Sequence, residues 1–209
     1  MEKSERFQKR LTVSEPFEDE VEAYLVRTGI HAVTRNGSEK THAEFANLLR
    51  LRNDVGSKLL RFQSDGLGLD DIGVFDWEAK TTMDSRVSTI ERDAYEIYKL
   101  RHEQGTRFKL FIRPYWPRRR CVYWNYIEEV RLISGEETVA RFPEDRRFPV
   151  IDGWICPRAA HRYAGNGSGT PYREIDLKSM IQLADFYNDG PKLEVTQDAT
   201  LNRQQLHLF

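Results

Sequence analysis

The chain has 209 residues, of which 39% are hydrophobic and 11% aromatic, enough for one packed domain with appendages. That composition excludes a chain that is disordered throughout, and two cysteines are too few for a disulfide framework or a four-cysteine zinc site. No run of about 18 apolar residues is present, so the sequence predicts no membrane span. The polar residues 1–10 predict no signal peptide, and we therefore expect a cytoplasmic location.

Apolar periodicity and turn residues predict alternating helices and strands before residue 188. In chain order the predicted elements are a helix from Pro16 to Gly29, a strand over 30–33, a helix over 41–61, a hairpin over 71–81, a helix over 86–103, a strand over 107–115, a strand near 172–177 and a short helix through Phe186. From Asn188 onward the periodicity fails. We therefore predict one domain over residues 1–187 and a flexible tail over residues 188–209.

The hairpin text DDIGVFDWEAK carries the residues with the most distinctive chemistry. A two-residue turn at Phe75-Asp76 would place Asp71 directly opposite Lys80. Side chains alternate along a strand and opposed residues share a face, so Asp71, Glu78 and Lys80 are expected on one face. Carboxylate oxygens bind Mg²⁺, and a neighbouring lysine can orient the attacking water or stabilise the charge that develops on a phosphate.

The first predicted helix offers a further carboxylate. Glu18 lies three residues before Val21 and seven before Leu25, which belong to the apolar stripe of this helix. Glu18 is therefore expected to point inward with that stripe. An inward acid requires a partner, and metal ligation supplies one.

The pattern Asp71…Glu78-Ala79-Lys80 resembles the signature of the PD-(D/E)XK, or restriction-endonuclease-like, nucleases. The predicted order helix, strand, strand, strand, helix, strand is similar to the core of that superfamily. The resemblance implies an α/β fold with a central mixed sheet flanked by helices, and a deoxyribonuclease that requires Mg²⁺ or Mn²⁺. It implies that Asp71, Glu78, Glu18 and the Ala79 carbonyl bind the metal, and that Lys80 assists the nucleophile.

The identity of the aspartate stays open at this point. No proline precedes Asp71, and the spacing from Asp71 to Glu78 is short, so Asp70 and Asp65 are alternative ligands. The competing structural interpretation is a surface hairpin that carries a solvated Glu–Lys pair.

Two acid-free stretches, residues 107–127 and 156–173, are rich in arginine and aromatic residues. Cations bind phosphates, and aromatic side chains can stack on unpaired bases. We expect most of the aromatic residues to lie in the core. The arginines predicted to contact DNA are Arg113, Arg118, Arg119, Arg120, Arg158 and Arg162.

The text QLHLF, residues 205–209, resembles the bacterial sliding-clamp-binding motif Gln-Leu-x-Leu-Phe. Large apolar residues after a polar linker suggest a partner groove, and the alternative is a segment packed on the domain. The resemblance implies a bacterial or phage-host clamp, the β subunit, as partner. The residues predicted to bind it are Gln205, Leu206, Leu208 and Phe209.

These patterns together predict a nucleoid-associated nuclease that hydrolyses DNA phosphodiesters during replication or repair, recruited by the clamp. A restriction-type endonuclease would share the hairpin without needing the tail. A non-catalytic DNA-binding clamp adaptor would keep the tail and the basic stretches while its hairpin did no chemistry.

Overall fold

The computed structural model describes residues 16–36, 52, 54–82, 84, 86–114, 121–141, 149–157 and 170–187. Within these ranges the strands form two sheets, and helices pack on both faces of the larger one. None of the helices described in these ranges combines the length and apolarity that crossing a membrane requires.

Helices and strands alternate along the described chain. They are α1 (residues 16–27), β1 (Ala32–Arg35), α2 (Val55–Arg61), β2 (Gly66–Asp70), β3 (Gly73–Thr82), β4 (Val87–Glu91), α3 (Arg92–Glu103), β5 (Arg107–Pro114), β6 (Val122–Tyr126), a 3₁₀ turn (Ile127–Glu129), β7 (Leu132–Ile133), α4 (Gly135–Arg141), β8 (Val150–Ile151), β9 (Trp154–Ile155), β10 (Tyr172–Asp176), a second 3₁₀ turn (Leu177–Ser179) and β11 (Ile181–Leu183).

The larger sheet has the strand order β1-β2-β3-β5-β6-β11. Its central pair, β3 and β5, is parallel, and every other neighbouring pair is antiparallel. The smaller sheet has the order β4-β10-β9-β8, with β7 also pairing with β10. The predicted fold class is therefore confirmed as α/β, with a central mixed sheet flanked by helices.

Strand alternation explains how the central sheet is covered on both faces. On one face of β3, Phe75, Trp77 and Ala79 pack in the same cluster as Phe17 and Val21 of α1. The opposite face carries α3, whose buried residues pack on the inward residues of β5. The members of that second layer are Ala94, Ile97, Tyr98, Phe108, Leu110 and Ile112. The charged residues of β3 therefore face α3, where they need polar partners.

The β2–β3 hairpin turns at Asp71-Ile72, so the predicted turn at Phe75-Asp76 is wrong. Asp70 pairs with Gly73 across the turn. The Asp70 carboxylate accepts hydrogen bonds from the backbone amides of residues 72 and 73, and Gly73 adopts a φ of 132° that other residues rarely take. Local turn chemistry therefore fixes the register of this hairpin.

Other elements follow the prediction in part. The predicted strands over 107–115 and 172–177 are confirmed. The helix predicted over 86–103 begins only at Arg92, because Val87–Glu91 pairs with β10 as a strand. The short helix predicted through Phe186 is wrong, since β11 and a turn occupy that segment. Of the helix predicted over 41–61, the segment 41–51 lies outside the described residues.

The hairpin tolerates no side chain at Gly66. A Cβ atom built there would lie 2.2 Å from the Thr34 carbonyl oxygen and 2.5 Å from the Trp77 ring. We expect Gly66→Ala to lower the free energy of unfolding by about 1–3 kcal/mol, because a backbone oxygen cannot move aside easily. Denaturant unfolding measures the change.

A matched control lies in α2. A Cβ atom at Gly56 would meet only Asp54 Oδ1, at 3.4 Å. Gly56→Ala should therefore be neutral or stabilising by up to about 1 kcal/mol, as expected when alanine replaces glycine in a helix. Wild-type stability in Gly66→Ala would contradict the close approach described for β2.

Candidate active site

The hairpin register places Asp71 away from Glu78 and Lys80. Asp71 lies in the turn, its side chain is 93% exposed, and its Oδ1 atom is 2.6 Å from Nε2 of His31. The predicted convergence of Asp71 with Glu78 and Lys80 is therefore wrong. Asp71 lies apart from Glu78 and Lys80 because the turn comes four residues earlier in the chain than the predicted turn.

Asp70, the first alternative metal ligand, already binds two cationic side chains beside the turn. Arg107 NH1 donates to Asp70 Oδ2 over 3.0 Å, and Lys109 Nζ lies 3.3 Å from the same oxygen. The hydrogen bond from Arg107 is the main reason that the pKa of Asp70 falls well below its usual range. Asp70 therefore stabilises the turn and links it to β5 through Arg107 and Lys109.

Asp65, the second alternative, is the aspartate that the structure brings to Glu78. It immediately precedes β2, where Gly66 pairs with Trp77, and its Oδ2 accepts a hydrogen bond of 2.8 Å from the Ala79 amide. Burial and then the charges of Glu78 and Glu18 raise the pKa of Asp65 to about 8. These three carboxylates thus share one electrostatic environment.

Glu78 and Lys80 share a face of β3, as strand alternation predicts. Glu78 is 8% exposed, and Lys80 Nζ donates to its Oε1 over 2.9 Å. Burial opposes the charged form of Lys80, but the charges of Glu78 and Asp65 outweigh it and raise its pKa. Lys80 therefore stays protonated and acts as a donor.

The sequence interpretation did not single out Tyr98, which faces the same carboxylates from α3. Tyr98 is 2% exposed and stacks on Phe108 with ring centroids 4.1 Å apart. Burial, followed by the charges of Glu78 and Asp65, raises its pKa well above the usual value. In the sequence, Tyr98 belongs to the apolar stripe of α3 with Ala94 and Ile97. That pattern predicts a buried core residue and gives no indication of a role in the site.

Glu18 reaches the cluster from α1, and its predicted inward orientation is confirmed by an exposure of only 5%. Arg35 of β1 lies 3.7 Å from it, measured from NH1 to Oε2. The same guanidinium is 2.7 Å from an oxygen of Asp19 and 2.9 Å from one of Glu22. Arg35 therefore shares its charge among several carboxylates and compensates Glu18 only in part.

The donor set of this site consists of hard oxygens, which are the atoms that Mg²⁺, Mn²⁺ and Ca²⁺ prefer. Burial first, and then the charges of Glu78 and Glu18, raise the pKa of Asp65, and a divalent cation bound there would favour its charged form. Across the described ranges, no three His, Cys, Asp or Glu side chains already stand together as a ligand group. Glu78 meets Lys80, and Asp65 meets the Ala79 amide.

Arg113, predicted to contact DNA, has protein partners. Its side chain is 17% exposed, and NH1 lies 2.6 Å from Glu20 Oε2 and 3.4 Å from the Tyr187 hydroxyl. Its guanidinium also lies over the Phe17 ring, 4.4 Å from the centroid. The remaining predicted interface residues lie outside the described residues, namely Arg118, Arg119, Arg120, Arg158, Arg162, Gln205, Leu206, Leu208 and Phe209.

Comparison with models of known protein families and with curated proteins finds no match for the chain. Among solved structures, the chain is similar to Hjc of Archaeoglobus fulgidus, a Holliday junction resolvase from an archaeal hyperthermophile. The two are 13% identical, and the match covers 56% of this chain and 77% of the other, with a TM-score of 0.38. A likeness at this level assigns no activity, so the chemistry of the site has to come from its side chains.

The raised pKa of Asp65 predicts how stability depends on pH. Between about pH 4, the ordinary value in an unfolded chain, and about pH 8, folded protein retains a proton that unfolded protein has released. Without divalent cations, the contribution of Asp65 to stability should therefore decrease by about 1 kcal/mol or more as pH rises through this window. Denaturant unfolding at several pH values measures it.

Asp65→Asn is the matched variant, because its amide oxygen can still accept from the Ala79 amide while the charge is lost. We expect its stability to depend less on pH than that of wild type, and to exceed wild type at pH 8. Parallel pH profiles for the two proteins would mean that Asp65 is not held among like charges.

Proposed function

We propose that the protein is a metal-dependent nuclease that hydrolyses DNA phosphodiesters. The observation that carries the proposal is the group of Asp65, Glu78 and Lys80: the charge of buried Glu78 acts on Asp65, and Lys80 donates a hydrogen bond to Glu78. Buried acids lower the stability of a fold, and a carboxylate with a raised pKa, such as Asp65, beside a charged lysine favours a functional site.

In this proposal Asp65, Glu78, Glu18 and the Ala79 carbonyl hold Mg²⁺ or Mn²⁺. Asp65 takes the place predicted for Asp71, because Asp71 is a solvent-exposed turn residue. The bound metal supplies Lewis-acid chemistry, since it lowers the pKa of a coordinated water and neutralises charge on the phosphate. Ala79 contributes in a second way, because its amide holds the Asp65 carboxylate against β3.

Lys80 provides a positive hydrogen-bond donor at the reacting centre. Its raised pKa keeps Nζ protonated at neutral pH, so it cannot be the general base. Its ammonium can instead orient the attacking water or bind a phosphate oxygen as negative charge develops. Glu78 holds the Lys80 ammonium in place over 2.9 Å, which fixes the direction from which that charge acts.

DNA is the proposed substrate because arginine-rich, acid-free stretches adjoin the central sheet in sequence. Arg113 is engaged with Glu20 and Tyr187, so the proposal for phosphate contact rests on Arg118–Arg120, Arg158 and Arg162. Sequence-independent contacts of this kind position the backbone of a nucleic acid beside the catalytic groups.

The clamp partner is proposed from the peptide at 205–209, and the described residues that precede the tail pack on α1. Arg27 NH2 donates to the Phe186 carbonyl over 2.5 Å, and the Phe186 ring stacks on Tyr24 at 4.9 Å between centroids. The residues just before the tail are thus fixed on α1. A tail docked on a clamp would hold the domain near the encircled DNA at high effective concentration.

Substitutions at the site test the nuclease proposal. Asp65→Asn, Glu78→Gln and Lys80→Met should each reduce cleavage at least about 100-fold, because each removes a metal-binding or charge-stabilising group. DNA binding should be largely retained. The measurement is digestion of labelled single-stranded, duplex, flapped and branched DNA with Mg²⁺ or Mn²⁺.

Asp71→Asn is the matched control, since it changes the same residue type at the exposed turn of the same hairpin. Its cleavage rate should equal that of wild type. Loss of activity in Asp71→Asn, with activity retained in Asp65→Asn, would return the metal site to the residue first predicted from the sequence. Wild-type rates in Glu78→Gln would contradict the nuclease proposal itself.

Removal of residues 205–209 tests recruitment. A short linear peptide buries little surface and loses chain entropy on docking, so we expect an affinity on the order of micromolar for a bacterial clamp. The truncated protein should lose this binding but should cut short free DNA at the wild-type rate. Calorimetry with both proteins decides the matter, and equal binding would contradict the clamp proposal.

A further inference from the structure

A second polar network lies directly beside the carboxylate cluster, and the chemistry above does not use it. Its centre is Asp76 of β3, which is 2% exposed, and Ser64, which is 1% exposed. Ser64 Oγ donates to Asp76 Oδ1 over 2.7 Å, and its oxygen accepts from Asn36 Nδ2 over 3.3 Å. Buried polar groups of this kind are retained at a cost that a purely apolar core would avoid.

Arg101 connects this network to α3. Its NH1 lies 2.9 Å from Asp76 Oδ2, and it follows Tyr98 by one helical turn. Asp76 also shares its face of β3 with Glu78 and Lys80, because these positions alternate along the strand. The network therefore joins α3, β3 and the segment before β2 at the point where the site is built.

Close contacts fix the backbone on both sides of Asp65, and the network supplies those on one side. Ser64 immediately precedes Asp65, and the Asp65 carbonyl accepts from the Asn36 amide over 2.8 Å. On the other side, Gly66 fits against Thr34 and Trp77 so closely that no Cβ atom can be placed there. The side chain of Asp65 is thereby directed to the Ala79 amide.

We propose that Ser64, Asp76 and Arg101 are positioning residues that hold Asp65 in the orientation needed for metal binding. The proposal rests on the proposed function, because it assigns Asp65 to the metal. The orientation of Asp65 has to be held in place for a specific physical reason. Asp65 stands among like charges, so an unconstrained backbone would let its carboxylate turn toward water and away from Glu78 and Glu18. A network that is itself neutralised by Arg101 resists this movement without adding net charge to the site.

Ser64→Ala gives the sharpest test, because it removes a single oxygen and leaves the Asp76–Arg101 ion pair intact. Outer partners of metal ligands typically change metal affinity by about 10–100-fold when removed. We therefore expect Mn²⁺ to bind Ser64→Ala at least about 10-fold more weakly than wild type in calorimetry without DNA. Ser88→Ala is the control, since Ser88 of β4 is also buried, at 3% exposure, but belongs to the smaller sheet.

A second pair of variants tests the ion pair. Asp76→Asn removes the charge that holds Arg101, and Asp93→Asn removes a comparable carboxylate that binds Lys58 and Arg61, each over 2.9 Å, between α2 and α3. Both variants should lose thermal stability. Only Asp76→Asn should lose affinity for Mn²⁺, and DNA cleavage should recover in part at saturating Mn²⁺.

The outcomes separate this inference from the proposed function. If wild type binds Mn²⁺, Asp65→Asn does not, and Ser64→Ala binds as wild type does, the positioning role is refuted while the metal site stands. Equal weakening in Ser64→Ala and Ser88→Ala also refutes it. If wild type itself binds no Mn²⁺, both proposals fail. Should Asp76→Asn not fold, Ser64→Ala alone decides.

Discussion

The register of the β2–β3 hairpin is the constraint on which the candidate site depends. Asp70 sets this register, because its carboxylate accepts hydrogen bonds from the backbone amides of residues 72 and 73 and from Arg107 of β5. A slip of one residue would exchange the two faces of a strand. With the turn at 71–72, Asp65 comes to lie beside β3, where the Ala79 amide binds it and the charge of Glu78 affects it more than that of Glu18.

Charge compensation is the second organising feature, and it differs between the carboxylates Asp76 and Asp65. On the α3 face, Asp76 has a full complement of partners in Ser64 and Arg101. Asp65 has only a backbone amide and the field of Lys80 against two like charges. The two carboxylates therefore differ: Asp76 is a paired structural ion, whereas the folded protein keeps Asp65 protonated to a higher pH than usual.

Local patterns predicted the elements whose burial is strictly periodic. The stripe of α1, the inward position of Glu18 and the shared face of Glu78 and Lys80 follow from spacing alone, and the structure confirms them. Val87 and Ile90 fit a helical stripe as well as a strand, and only pairing with β10 decides between them. Periodicity does not contain that long-range information.

The turn of the hairpin was missed for a related reason. Phe75-Asp76 and Asp71-Ile72 are both acceptable turns by composition, and alternation alone does not show that Phe75 is buried. Phe75 is fully buried in the α1 layer, where its ring fills the space that a Cβ atom at Gly68 would take. A buried aromatic residue cannot occupy a turn tip, so packing excludes the first alternative and with it Asp71 as a ligand.

The same packing explains how the fold tolerates its carboxylates. Like charges brought together out of water lower stability, and the apolar layers on either side must offset that cost. Trp77 directly precedes Glu78 in β3 and is fully buried on one face of the sheet. On the other face, Tyr98 stacks on Phe108 and forms a hydrogen bond with Glu78. Burial here, followed by the charges of Glu78 and Glu18, disfavours the charged form of Asp65 in the folded protein. In the proposed function, a divalent ion bound to the folded site would favour the charged form of these carboxylates and so stabilise the folded protein. Stability and metal binding are thereby linked through one cluster of side chains.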